Sequence, residues 1–98
     1  MFELIKADYQ EAYKILLKFN NNRQGVVDLK DWVFSYQTKT FKQIQTPKKF
    51  KNFKLDYTLT WNNEVDIAPE YLYFQAFKKD KALQQQFKDW GYLPLKEH

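Results

Sequence analysis

An α+β fold is what this 98-residue sequence predicts: an antiparallel sheet of about five strands, short helical turns in the middle, and two C-terminal helices packed on the sheet. Three observations carry that prediction. Apolar and polar residues alternate in the first third and again over residues 53–67, the period of a half-buried strand. The last third changes to apolar spacings of three and four, the period of an amphipathic helix. Asparagines and prolines stand at the boundaries, where turns and helix starts need them.

Phe2, Leu4 and Ala7 mark a first strand. In the second, Tyr13, Ile15, Leu17 and Phe19 share one face while Lys14 and Lys18 take the other. Asn20, Asn21, Asn22 and Arg23 form a polar turn, because asparagine tolerates left-handed backbone angles, and Gly25 opens a further strand in GVVDL. Helical turns are expected near residues 40–45 and 47–52, with Thr46 as a cap and Pro47 at the first helical position. From Phe53 the alternation of Phe53, Leu55, Tyr57, Leu59 and Trp61 with Lys54, Asp56, Thr58 and Thr60 places every ring on one face of a strand or tight hairpin. Asn62 and Asn63 turn the chain into a short strand at Val65 and Ile67, with Asp66 facing the other way.

Pro69 is preorganised for a first helical turn, and Glu70 suits the positive end of the helix dipole. That helix can bury Leu72, Tyr73, Ala76 and Phe77. Asp80 is the expected N-cap of a last helix carrying Leu83, Phe87 and Trp90 as one stripe; Gly91 ends it and Pro94 prevents its continuation.

The chain is read as one domain over residues 1–98. Aromatic residues make up 19% of it, so rings supply much of the material for a core. No apolar run is long enough to span a bilayer, and MFELIKADYQ has none of the marks of a signal peptide, so a soluble cytoplasmic protein with no membrane partner is expected. The absence of cysteine removes disulfides, thiolate metal sites and cysteine nucleophiles together. The formal charge of +4 raises the question of nucleic acid, yet the basic residues are lysines apart from Arg23, and arginine is the better reader of phosphate and guanine.

In order along the chain, the polar turn, VVDLKDW, FKQI, FKNFKLDY, a tryptophan turn and VDIAPEYLY resemble the bacterial domain-of-unknown-function family 2442. The resemblance covers about residues 2–73, leaving 74–98 as a C-terminal helical extension, and VDIAPEYLY is its most specific piece. Two departures are visible. The turn, usually Trp-Pro-Asn-Gly in such domains, is Trp61-Asn62-Asn63-Glu64 here, and the glycine often found after a segment like LDY is missing before Thr58. The resemblance implies a small α+β domain with an antiparallel sheet and no established activity. It also implies, for some members, pairing with a small neighbouring protein in a toxin and antitoxin-like arrangement. Other members carry an appended helix-turn-helix, for which 98 residues leave no room, so a DNA-reading role is not carried over.

No catalytic site, cofactor or metal is expected. The one histidine, His98, is the last residue, and Ser35 has no histidine or established lysine partner. Glu64, Asp66 and Glu70 could hold a hard cation only if they converged, and an acid in a first helical turn already has a structural reason to be there. Two glycines are too few for a phosphate loop. The remaining constellations are surfaces. Tyr71, Tyr73, Phe74 and Phe77, with Trp90, Tyr92 and Leu93, are more bulky apolar groups than two short helices need on one buried face. Tyr71, Phe74, Trp90, Tyr92 and Leu93 are therefore the candidate protein interface, for a small bacterial partner protein or a second copy in a homodimer. Lys39, Lys42, Lys48, Lys49, Lys51 and Lys54, interleaved with Phe41, Phe50 and Phe53, form a candidate basic surface for nucleic acid, the second reading.

Overall fold

The computed structural model describes residues 2–94. Strands β1 (Leu4–Glu11), β2 (Lys14–Phe19) and β3 (Gln24–Asp28) form one antiparallel sheet in chain order, and β4 (Lys54–Leu55), β5 (Leu59–Trp61) and β6 (Val65–Ile67) form a second. The α+β class stands as expected; its strands, among the described residues, number six and divide between two sheets. A bond from the Leu4 amide to the Tyr57 carbonyl, 2.9 Å long, ties the sheets together. Between them in sequence lie three short helices, α1 (Lys30–Phe34), α2 (Lys39–Lys42) and α3 (Pro47–Phe50). After β6 come α4 (Pro69–Phe77), a 3-10 turn (Lys81–Leu83) and α5 (Gln84–Asp89).

The central strand shows why the first sheet forms. Ile15, Leu17 and Phe19 of β2 are fully buried, while Lys14 is exposed. Register places Leu17 between Ala7 and Gly25, and Ile15 between Tyr9 and Val27. Rings from distant segments close over this face: Phe19 meets Tyr73 edge-on at 5.0 Å, and Tyr13 meets Phe50 at 5.1 Å. One apolar cluster therefore spans both sheets.

Local chemistry sets most boundaries as the sequence predicts. The Thr46 hydroxyl accepts from the Lys49 amide at the start of α3, with Pro47 at its first position. Asp80 accepts from the Ala82 amide and so caps the 3-10 turn that leads into α5, where the sequence places it at the start of the helix itself, and Gly91 takes the left-handed φ of 87° beyond α5. Asn62 and Asn63 both have positive φ, 53° and 57°, and the Glu64 amide bonds back to the Trp61 carbonyl at 3.0 Å. These φ signs are those of a type I′ turn, and the pairing of Trp61 with Val65 adds Glu64 as a third connecting residue. Proline, confined to φ near −65°, could not occupy position 62 in it.

The expectation that every ring from Phe53 to Trp61 shares one face is corrected. Leu59 and Trp61 are buried, but Leu55 and Tyr57 are 41% and 46% exposed, and Thr58 is buried instead. The alternation breaks because the hairpin pairs Leu55 with Leu59, leaving Tyr57 at its apex and Leu55 on an edge strand. Thr58 tolerates burial because its hydroxyl donates to the Ile67 carbonyl.

Arg23 joins the β2–β3 turn to the end of α4. Its guanidinium donates to Asp80 Oδ2 at 3.0 Å and to the Tyr73 hydroxyl at 3.4 Å, and lies 4.2 Å from the Phe77 ring centroid. The Ala82 amide first, and Arg23 second, hold the Asp80 carboxyl below its usual pKa. A group depressed in the folded state contributes stability above its unfolded pKa and loses it as pH falls through the folded one. Melting temperature followed from pH 7 to 2.5 should therefore drop below about pH 4 less steeply in Asp80→Asn than in the parent. Asparagine keeps the bond from the Ala82 amide through its one oxygen and removes the titrating charge together with its pairing to Arg23; identical acid limbs would assign the loss to other carboxylates.

Candidate functional site

The site is a groove between α1 and α4. At the end of β3, Asp28 Oδ1 accepts from the Lys30 amide at 3.0 Å and turns the chain into α1. Leu29 and Val33 anchor the helix in the core, which leaves Trp32 half-buried and Ser35 and Tyr36 on the outside. Gln45 fixes the far end of this segment by donating to the carbonyls of Val33 (3.1 Å) and Tyr36 (3.0 Å). Phe41 at 5.1 Å and Trp61 at 5.6 Å hold the Trp32 ring from behind.

The opposite wall is the first half of α4. Tyr71 is half-buried, its hydroxyl accepts from Gln75 Nε2 at 2.9 Å, and its ring meets Tyr92 at 5.4 Å. Tyr92 in turn stacks on Phe74 at 5.3 Å. Burial first, with the Glu70 carboxylate adding to it, raises the Tyr92 phenol above its ordinary pKa.

Two adjoining concavities, of about 370 and 360 Å³, share Trp32, Ser35 and Tyr71. The first is rimmed by charges of both signs, Asp28 and Asp31 with Lys30 and Lys78. The second adds Tyr36, Tyr92 and Asp66, and Asp66 is the one charged residue that lines it among the described residues. The arrangement offers aromatic rings, hydroxyls and carboxylates to a ligand. Ser35 Oγ donates to the Asp31 carbonyl, so its proton is held by the end of its own helix.

Of the five candidate interface residues, Tyr71 and Tyr92 line the groove. Phe74 lies behind them, in edge contact with buried Phe87 at 5.1 Å. Trp90 packs over the core through Phe2 (5.9 Å) and Tyr73 (6.0 Å), and Leu93 is half-buried against the same cluster. All five are partly spent on the fold.

The six candidate lysines are all exposed along α2, α3 and β4, and none forms an ion pair among the described residues. The phenylalanines between them are not displayed for stacking. Phe50 is fully buried, and Phe41 and Phe53 pack at 5.1 Å from Trp32 and 6.4 Å from Trp61. Among the carboxylates, Glu64 accepts from Gln43 at 3.4 Å, Asp66 faces outward from β6 and Glu70 is half-buried. No cluster of three acids or histidines able to hold a metal occurs among the described residues, and His98 lies outside them.

Trp32 and Tyr36 are not among the candidates that the sequence offers, because a helix of five residues leaves a weak periodic signal. The signal was present: Leu29, Trp32, Val33 and Tyr36 follow spacings of three and four after an aspartate suited to starting a turn.

No helix among the described residues is long and apolar enough to cross a membrane. No curated protein and no solved structure matches the chain. Residues 4–78 match the family described as "Protein of unknown function (DUF2442)", and the chain belongs to that family.

Proposed function

We propose that this DUF2442 member is a noncatalytic protein-interaction module whose binding surface is the groove between α1 and α4. The observation that carries the reading is the pair of adjoining concavities built on Trp32 and Tyr71, with Tyr36 and Tyr92 at one end. Tryptophan and tyrosine in concave, partly desolvated positions are the side chains that dominate protein association energies. The partner is a small bacterial protein in an antitoxin-like pairing, in keeping with what the family resemblance implies.

The test is an affinity pull-down of the tagged chain from its native lysate, with and without nuclease, comparing the parent with Tyr36→Ala. Tyr36 is 51% exposed, so its loss should leave the fold intact. The expected result is one stoichiometric protein that survives nuclease and high salt and is reduced roughly tenfold or more by Tyr36→Ala. Bound material that disappears with nuclease and salt would overturn the proposal. It would favour the second reading, nucleic-acid binding, for which the exposed lysines from Lys39 to Lys54, without an ion pair among the described residues, are the specific support.

A further inference from the structure

We infer that the second concavity of the groove is a cation cage, formed by Trp32, Tyr36, Tyr71, Tyr92 and Asp66, that receives the guanidinium of an arginine presented by the partner protein. The inference rests on the interaction reading above and names what the partner must bring. Four aromatic residues line one concavity, and an aromatic ring attracts an organic cation over its face once the cation leaves water. Asp66, which borders this concavity on one side and a separate one with Thr60 and Glu64 on the other, supplies the counter-charge. Among the described residues its carboxylate has no hydrogen-bond or ion-pair partner, and none of those lining this concavity is basic. Lys30 and Lys78 belong to the neighbouring one.

The rings are also held in place before any ligand arrives. Trp32 is backed by Phe41 and Trp61, Tyr36 lies 4.7 Å from Phe41, and Tyr71 and Tyr92 support each other. Little side-chain entropy remains to be lost on binding. One nearby feature opposes a cation, the positive end of α4, whose N-cap Ala68 lines the concavity. Pro69 has no amide hydrogen to offer there, and Glu70 in the same first turn counters the dipole. Arginine suits the site better than lysine because a planar guanidinium can lie on a ring face and still give two parallel bonds to one carboxylate.

The test titrates the full chain with the capped tripeptides Gly-Arg-Gly, Gly-Lys-Gly and Gly-norleucine-Gly, and with tetramethylammonium, following the Trp32 indole N–H by NMR. The arginine peptide should shift that resonance saturably, the norleucine peptide should not, and Asp66→Asn should weaken the arginine response roughly tenfold. Asp66 is exposed, so this variant is expected to fold, and Tyr36→Ala provides a second, charge-neutral loss of the cage. Equal responses to the arginine and norleucine peptides, or an Asp66→Asn response like that of the parent, would overturn the cage. Binding of tetramethylammonium without the arginine peptide would overturn the assignment to a partner's side chain and make this a small-cation site. A partner captured equally well by Asp66→Asn and parent would remove the cage while leaving the interaction reading standing.

Discussion

Trp61→Ala should destabilise the domain by about 3–5 kcal/mol, a large part of the roughly 5–15 kcal/mol that holds a domain of this size together. Trp61 is 2% exposed and fills the space between Trp32, Phe50 and Phe53, with ring centroids at 5.6, 5.5 and 6.4 Å. Its indole N–H donates to the Phe50 carbonyl at 2.7 Å inside the core. The substitution therefore opens a cavity and orphans a buried acceptor at the same time, and the second cost is additional to the first. Urea unfolding followed by far-UV circular dichroism is the appropriate measurement, because the signal must not depend on the tryptophan removed. Trp61→Phe should lie between parent and alanine variant, since it refills most of the volume and still loses the hydrogen bond. A loss below about 1 kcal/mol for Trp61→Ala would mean that the core is far looser than its ring contacts indicate. Since Trp61 also backs Trp32, the groove should lose definition in the same variant.

Gly25→Val is expected to cost about 1–3 kcal/mol through overpacking. A Cβ at Gly25 would stand 3.1 Å and 3.3 Å from two atoms of the Phe77 ring and 3.6 Å from the Ala76 Cβ. The ring has little freedom to retreat, because Tyr73 lies at 4.8 Å on one side and the Arg23 guanidinium covers its face at 4.2 Å. Glycine here serves close approach of β3 and α4 through lack of bulk, and a β-branched residue would push the helix off the sheet. Gly25→Ala should cost less than Gly25→Val. Adding Phe77→Leu should recover part of the valine penalty, a coupling that a double-mutant cycle on denaturation midpoints would detect. If Gly25→Val were as stable as the parent, α4 would not be seated where its contacts place it.

Much of the fold was legible in sequence where a side chain acts on its own backbone or on the next turn. Pro69 before a helix, Thr46 and Asp80 as caps, Gly91 past a C-terminus and the buried stripe of β2 all have causes within a few residues of themselves. The helix α1 is as local in its causes, but five residues make a weak periodic signal. The turn at Asn62 and Asn63 became interpretable only with its backbone angles, since asparagine is compatible with several turn types and the positive φ at both positions selects one.

The candidate site was less legible. Tyr71 and Tyr92 could be named as surplus rings from composition, but their common wall with Trp32 and Tyr36 brings together residues from three separate stretches of the chain. Sequence by itself determined the class of fold, the period of its elements, most of their boundaries and the family. Tertiary structure alone decided which rings are core and which are groove: Trp61 is buried and Trp32 half-buried, Leu59 is inside and Tyr57 outside. The physical reason is that a ring's burial depends on what packs against it from distant parts of the chain. Alternation and spacing specify the face on which a side chain stands, and only packing specifies whether that face is covered.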